Sequence, residues 1–192
     1  MSERITHATS ITASLCPVTA ADFGTVAALA DTIWRSHYSA MISMAQIDFM
    51  LAGRYTTERL SRYLDAADCW LELLMVHGLA VGYCSYALTE TPQEMKLQEL
   101  YLLPDYRGGG LGSFMLRHVE AQARTRGCTA LLLTVNKGNT DAIAVYRHAG
   151  FSVREEAVFD IGNGFVMDDY VMVKSVMAKS CLDLVDVPDI HS

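Results

Sequence analysis

Apolar residues along the chain fall into two patterns: short continuous runs, and segments where they recur every three or four positions. Ile11–Val18 reads as a first strand that Pro17 disrupts. Thr19-Ala-Ala-Asp22 has the spacing of a capping box, and behind it Phe23, Val26, Ala30, Ile33 and Trp34 mark one helix face, fraying around Ser36–Ser39. Ser43-Met-Ala-Gln46 is a second box, with Ile47, Met50 and Leu51 inward and an extension or restart through Thr57–Leu64. Cys69–Val76 and Leu79–Leu88 are strands separated by a His77-Gly78 turn. After Thr91-Pro92 come strand Lys96–Leu103, a glycine-rich loop, and a helix with Phe114, Met115, Val119 and Ala123 on one face. Strand Ala130–Val135 precedes a helix from Asn139 to a C′ glycine at Gly150. Phe151–Phe159 and Phe165–Val176 close the series around Gly162-Asn-Gly164. The order β-α-α-β-β-β-α-β-α-β-β predicts a mixed α/β (α+β) fold of about seven strands and about four helices.

Composition narrows this picture without changing it. A chain of 192 residues, 51% hydrophobic and 19% charged, fits one folded domain, placed here at residues 11–176. Residues 1–10 read as a loose polar N-terminus. Residues 177–192 read as a tail, either a flexible end (the preferred reading) or a homodimer contact arm. A net charge of -7 argues against an extended nucleic-acid face. The five cysteines (16, 69, 84, 128 and 181) are scattered, with no Cys-x-x-Cys pair. That implies a reducing cytoplasm, with Cys16, Cys69, Cys84 and Cys128 as small core residues. The N-terminus has no apolar leader core, and no run is long enough to span a membrane.

The strongest chemical signal lies between strand Lys96–Leu103 and the helix after it. Pro104-Asp105-Tyr106 breaks the strand, and Arg107-Gly108-Gly109-Gly110-Leu111-Gly112-Ser113 opens the helix. Glycines permit positive φ and close ligand approach, and a helix start leaves N–H groups without intrahelical partners. Together with the helix dipole they form an anion site suited to a phosphate or pyrophosphate. A Walker loop is excluded because no lysine follows Gly112, and the Rossmann glycine spacing fails at Ser113 and Met115. His-x-x-x-His, grouped Cys/His and Gly-x-Ser-x-Gly patterns are absent, so metal hydrolase and serine hydrolase readings fail and no metal is expected.

What remains, Arg107-x-x-Gly110-x-Gly112, resembles the acetyl-CoA loop of the GNAT N-acetyltransferase superfamily. A second segment, Asn139-x-x-Ala142-x-x-x-Tyr146-x-x-x-Gly150-Phe151, resembles that superfamily's other signature, in the right order and with one strand between. The resemblance implies a GNAT-like, mostly antiparallel twisted sheet and acetyl-CoA as co-substrate, with direct attack by a primary amine in a ternary complex. It also implies that backbone amides from Arg107 through Gly108, Gly109, Gly110, Leu111 and Gly112 to Ser113 hold the pyrophosphate. Leu102 and Leu103 would offer backbone to the pantetheine arm and acetyl carbonyl, Asn139 would cap its helix and touch the cofactor, and Tyr146 would be the general acid.

The base and the acceptor are less defined. Relatives carry a glutamate early in the strand where this register places Lys96. Glu99 is the candidate base, although a regular strand turns it away from Leu100 and Leu102 and makes a solvated edge residue the bland alternative. The acceptor pocket is expected from Trp34, His37, Tyr38, Asp168 and Asp169. The first helix pair loosely resembles bacterial polyamine acetyltransferases, which points to a small cationic amine such as a polyamine. A protein N-terminal or lysine acetyltransferase and a non-catalytic acetyl-CoA-binding module are the alternatives.

Overall fold

The computed structural model describes residues 12–177. Strand β1 (Ala13–Pro17) leads through a short 3-10 turn to helix α1 (Phe23–Tyr38), then α2 (Met44–Arg54) and α3 (Thr57–Ser61). Strands β2 (Cys69–Val76), β3 (Leu79–Leu88) and β4 (Glu94–Leu102) follow, then α4 (Leu111–Thr125), β5 (Ala130–Asn136), α5 (Thr140–His148), β6 (Ser152–Gly162) and β7 (Phe165–Ser175). The seven strands form one sheet in the order β1-β2-β3-β4-β5-β7-β6, antiparallel except for β4 beside β5. The mixed, mostly antiparallel sheet matches the expectation; there are five α-helices rather than about four because Thr56 caps a separate α3 by accepting from Arg59 N.

Local signals work as the sequence predicts in most places. Thr19 N donates to Asp22 Oδ2 at 2.9 Å, and Ser43 Oγ accepts from Gln46 N at 3.2 Å. Gln46 does not close its box: its Nε2 donates to Val166 O at 3.0 Å and ties α2 to β7. His77 and Gly78 have φ of 49° and 80°, the paired positive values of a tight hairpin turn. Strand β4 begins at Glu94, ahead of its apolar run, because Glu94 already pairs with Ala130. Cys69, Cys84 and Cys128 are buried free thiols, but Cys16 is exposed on the edge strand β1. Residues 1–11 and 178–192, which include the N-terminus, Cys181 and most of the tail, lie outside the described residues.

Two cores sandwich the sheet. Val26, Ile33, Trp34, Ile47, Leu71, Leu73 and Tyr83 pack on the α1–α3 face. Leu74, Met95, Leu97, Met115, Val119, Leu133 and Met172 pack on the α4–α5 face. Covering both faces explains why β2 is apolar at every position but Glu72 instead of alternating. On the second face Lys174 Nζ lies 2.6 Å from Glu120 Oε1, tying β7 to α4. Glu120 is buried there, so Glu120→Ala leaves a half-buried ammonium without its anion. It is expected to lower unfolding free energy by about 2 kcal/mol in a denaturant titration.

The feature that positions the site is a parting of two strands. β4 and β5 pair only from Glu94↔Ala130 to Leu97↔Leu133. Against β3, Tyr86 faces Leu97 and Ser85 faces Glu99, so Gln98 is an extra residue, a bulge. Beyond it β4 stays with β3 while β5 stays with β7 out to Asn136↔Asp169. A bulge bends and twists its strand, and here it coincides with the opening of the sheet into a cleft.

Candidate active site

The cleft between β4 and β5 has a volume of about 660 Å³, within the range of small-molecule sites. Its upper wall is the loop before α4. Gly110 is the N-cap at φ +81°, and Gly108 has φ +79°. A side chain at either would project into open space, so nothing in the protein fills the ground above the loop. Phe114 N makes the first backbone bond of α4, to Gly110 O, which leaves the amides of Leu111, Gly112 and Ser113 pointing outward as an anion cradle. Leu111 gives the cradle backbone only, its side chain being buried in the core, and Gly109 does not line the cleft. Arg107 lies at the cleft wall with Nε donating to Leu102 O at 3.3 Å.

Backbone direction along β4 separates Leu102 from Leu103. Leu103 N donates to Val81 O at 2.9 Å, so its amide is spent on β3, and the expectation that it serves the cofactor is corrected. With Tyr101 paired to Tyr83 in the same register, the Leu102 N–H points the other way, into the gap that β5 has left. An unpaired strand amide at the centre of a cleft is a donor aimed at a ligand.

On the opposite wall, Asn139 caps α5 by accepting from Ala142 N at 3.3 Å, while its Nδ2 donates to His37 Nε2 at 3.1 Å. The capping role therefore holds, and most of the amide is committed within the protein. Accepting at Nε2 leaves the proton of His37 on Nδ1, and burial, reinforced by Arg107, lowers its pKa and keeps it neutral. Tyr146 lines the cleft, and its hydroxyl makes no hydrogen bond among the described residues. Burial, with the Tyr38 phenol nearby, pushes its pKa above the ordinary tyrosine value, so the proton stays on the oxygen.

The far end of the cleft is aromatic and hydrogen-bonded. Trp34 is buried, and its Nε1 has no hydrogen-bond partner among the described residues. Tyr38 and Tyr101 hydroxyls lie 3.1 Å apart, and a second chain runs from Tyr83 to Tyr55 to Glu99, each step 2.7 Å. Ser85 Oγ donates to the other Glu99 oxygen at 2.9 Å. Glu99 does point away from Leu100 and Leu102, but the face it joins is covered by α1–α3, so the solvated-edge reading is corrected. The tyrosines and Ser85 are the partners that sequence reasoning missed, because none shares a local pattern with Glu99.

The two neighbouring aspartates separate, since consecutive strand residues face opposite ways. Asp169 is 6% exposed and lines the cleft, where desolvation raises its pKa against the pull of Asn136 and Lys96. Asp168 faces out, 2.5 Å from Lys137 Nζ with a side chain 55% exposed, and the expectation that it lines an acceptor pocket is corrected. Trp34, His37, Tyr38 and Asp169 do line the cleft.

This geometry can be set beside known proteins. The model of the Acetyltransferase (GNAT) family matches residues 32–151, well over half the chain. The chain belongs to the GNAT family. An uncharacterized N-acetyltransferase of Mycobacterium bovis is 32% identical over 100 residues, covering 52% of this chain and 63% of that protein. A thialysine N-epsilon-acetyltransferase of Mus musculus is 33% identical over 76 residues, covering 38% of this chain and 45% of that protein. The chain thus spans less than two thirds of the length of these curated relatives. Among solved structures, a PaiA N-acetyltransferase from Thermoplasma acidophilum in complex with coenzyme A superposes with a TM-score of 0.73 at 20% identity, over 85% of this chain and 99% of that one. A spermidine N-acetyltransferase chimera involving Vibrio cholerae superposes at 0.66 with 14% identity, over 85% and 95%. At those identities the likeness is one of fold, and it confirms the GNAT architecture.

Proposed function

We propose that this protein transfers the acetyl group of acetyl-CoA to a primary amine of a small molecule, by direct attack in a ternary complex. The observation that carries the reading is one continuous cleft lined by the α4 amide cradle, the free Leu102 N–H, the Tyr146 hydroxyl and Glu99. Bound acetyl-CoA supplies an activated thioester. The protein's part is to hold and polarise it. The outward amides of Leu111–Ser113 and the positive end of α4 take the phosphates, with Arg107 adding charge. The Leu102 N–H polarises the acetyl carbonyl, and its fixed direction costs nothing to reorganise as negative charge develops on oxygen. Tyr146, protonated at neutral pH, gives its proton to the departing sulfur.

Glu99 is the acceptor for the amine's proton. An alkylammonium with pKa of about 10.4 is almost wholly protonated at pH 7, so a carboxylate at the acceptor end raises the share of productive encounters. Glu99→Gln is expected to lower kcat/KM about tenfold to a hundredfold at pH 7. The loss should shrink as pH rises, because the amine then deprotonates unaided. A pH–rate profile checks it, and a deficit that stays constant from pH 7 to 10 would return Glu99 to a structural role.

The acceptor is a small amine, with Trp34, His37, Tyr38 and Asp169 around its entry. A polyamine, the sequence-based choice, would now rest on Asp169 and Glu99, since Asp168 is spent on Lys137. Thiol release from acetyl-CoA across spermidine, small diamines, amino acids, aminoglycosides and N-terminal peptides tests the reading. Faster turnover of peptides than of every small amine would mean a protein acetyltransferase. Tight acetyl-CoA binding with no transfer to any acceptor would mean a binding module.

A further inference from the structure

A second cavity, of about 760 Å³, lies on the α2–α3 side of the sheet. Met50, Arg54, Gln98, Glu99 and Thr134 line both this cavity and the cleft, so the two meet at Glu99. Its charge runs against that of the chain. Net charge is -7, yet this cavity gathers Arg54, Arg59, Arg62 and Lys96 against one acid, Glu99. Among the described residues none of these four cations lies within ion-pair distance of a carboxylate. Glu99 does not neutralise them by contact, because its oxygens accept from Tyr55 and Ser85. Two of the guanidiniums are set against aromatic faces, Arg54 at 5.7 Å over Trp34 and Arg62 at 5.1 Å over Tyr63. Burial lowers the pKa of Lys96, and Asp169 opposes that shift.

Four unpaired cations sharing a pocket repel one another and any polycation that enters it. The same arrangement attracts an anion, and guanidinium groups offer paired donors matched to a carboxylate or phosphate. We infer that the acceptor amine carries an anionic group, most simply the carboxylate of an amino acid, held by the Arg54–Arg59–Arg62–Lys96 cluster while its amine reaches Glu99. The inference rests on the acetyl-transfer reading and deepens it. A basic amino acid satisfies both ends: its side-chain ammonium suits the Glu99 end, and its carboxylate suits the cluster.

The test uses matched acceptors that differ only in the anion: lysine against 1,5-diaminopentane, ornithine against 1,4-diaminobutane, and O-phosphoethanolamine against ethanolamine, with spermidine alongside. The full chain with acetyl-CoA is expected to show kcat/KM at least about tenfold higher for the anion-bearing member of a pair, as charge-assisted hydrogen bonds allow. In Arg59→Gln and Arg62→Gln that ratio should collapse toward one, mainly through KM of the anion-bearing acceptor. Preference confined to phosphoethanolamine would support an anion site and assign it to phosphate. Equal rates within each pair, or faster turnover of the diamines and spermidine, would overturn the inference while leaving acetyl transfer standing. Transfer to none of these acceptors but to another primary amine would overturn the inference alone, and acetyl-CoA binding without transfer to any acceptor of either panel would overturn both.

Discussion

Gly110→Val is expected to abolish acetyl-CoA binding in a calorimetric titration. The N-cap sits at φ +81°, in the left-handed region that a β-branched residue enters only with strain of about 1–3 kcal/mol. Its Cβ would meet no protein atom within 4 Å, so the fold can accept it at that cost, and circular dichroism should show a folded protein. The new isopropyl group would occupy the space above the amide cradle, where phosphate oxygens must come to hydrogen-bond distance. Gly112 differs from what the sequence suggests. Its φ is not positive, and a Cβ there would touch Leu102 Cδ1 at an ordinary 3.7 Å. Gly112→Val should therefore weaken binding by crowding alone, with a smaller loss of stability. Unchanged affinity in both variants would make the glycines no more than a turn.

Tyr146→Phe is expected to lower kcat about a hundredfold or more with little change in acetyl-CoA affinity. The ring packs edge-on to Phe151 at 5.8 Å between centroids, a contact that phenylalanine reproduces, and no hydrogen bond among the described residues is lost. What disappears is the proton for the leaving sulfur. Since burial raises the pKa of this phenol, the wild-type rate should show no loss from Tyr146 ionisation across pH 6–9. Single-turnover measurements separate the chemical step from binding. A fully active phenylalanine variant would return Tyr146 to the structural reading.

Residues whose meaning is local were legible in the chain. The capping box at Thr19, the Ser43 N-cap, the His77-Gly78 turn and the Asn139 cap each depend on neighbours within four positions, and each forms. So does the glycine loop, whose chemistry resides in backbone amides that side-chain identity only has to expose. Apolar runs placed β2 and β3 at their observed bounds, because a strand buried on both faces announces itself by hydrophobicity alone.

The acceptor end was not legible in this way. Whether Asp168 or Asp169 faces the cleft is decided by the pleat of β7 and its pairing with β5, and a dipeptide cannot show which way it points. The placement of Glu99 follows from the bulge at Gln98 and from Tyr55 and Ser85, which lie 44 and 14 residues away in the chain. The cationic cavity joins α2, α3 and β4, three segments whose charges look unremarkable one at a time. The sequence by itself determined the family, the glycine loop that opens α4 and the residue types available for proton transfer, since these are written in contiguous motifs. The tertiary structure alone decided which amides stay unpaired, which acids face inward and where the positive charge collects. Those properties depend on strand register and on distances between segments remote in sequence.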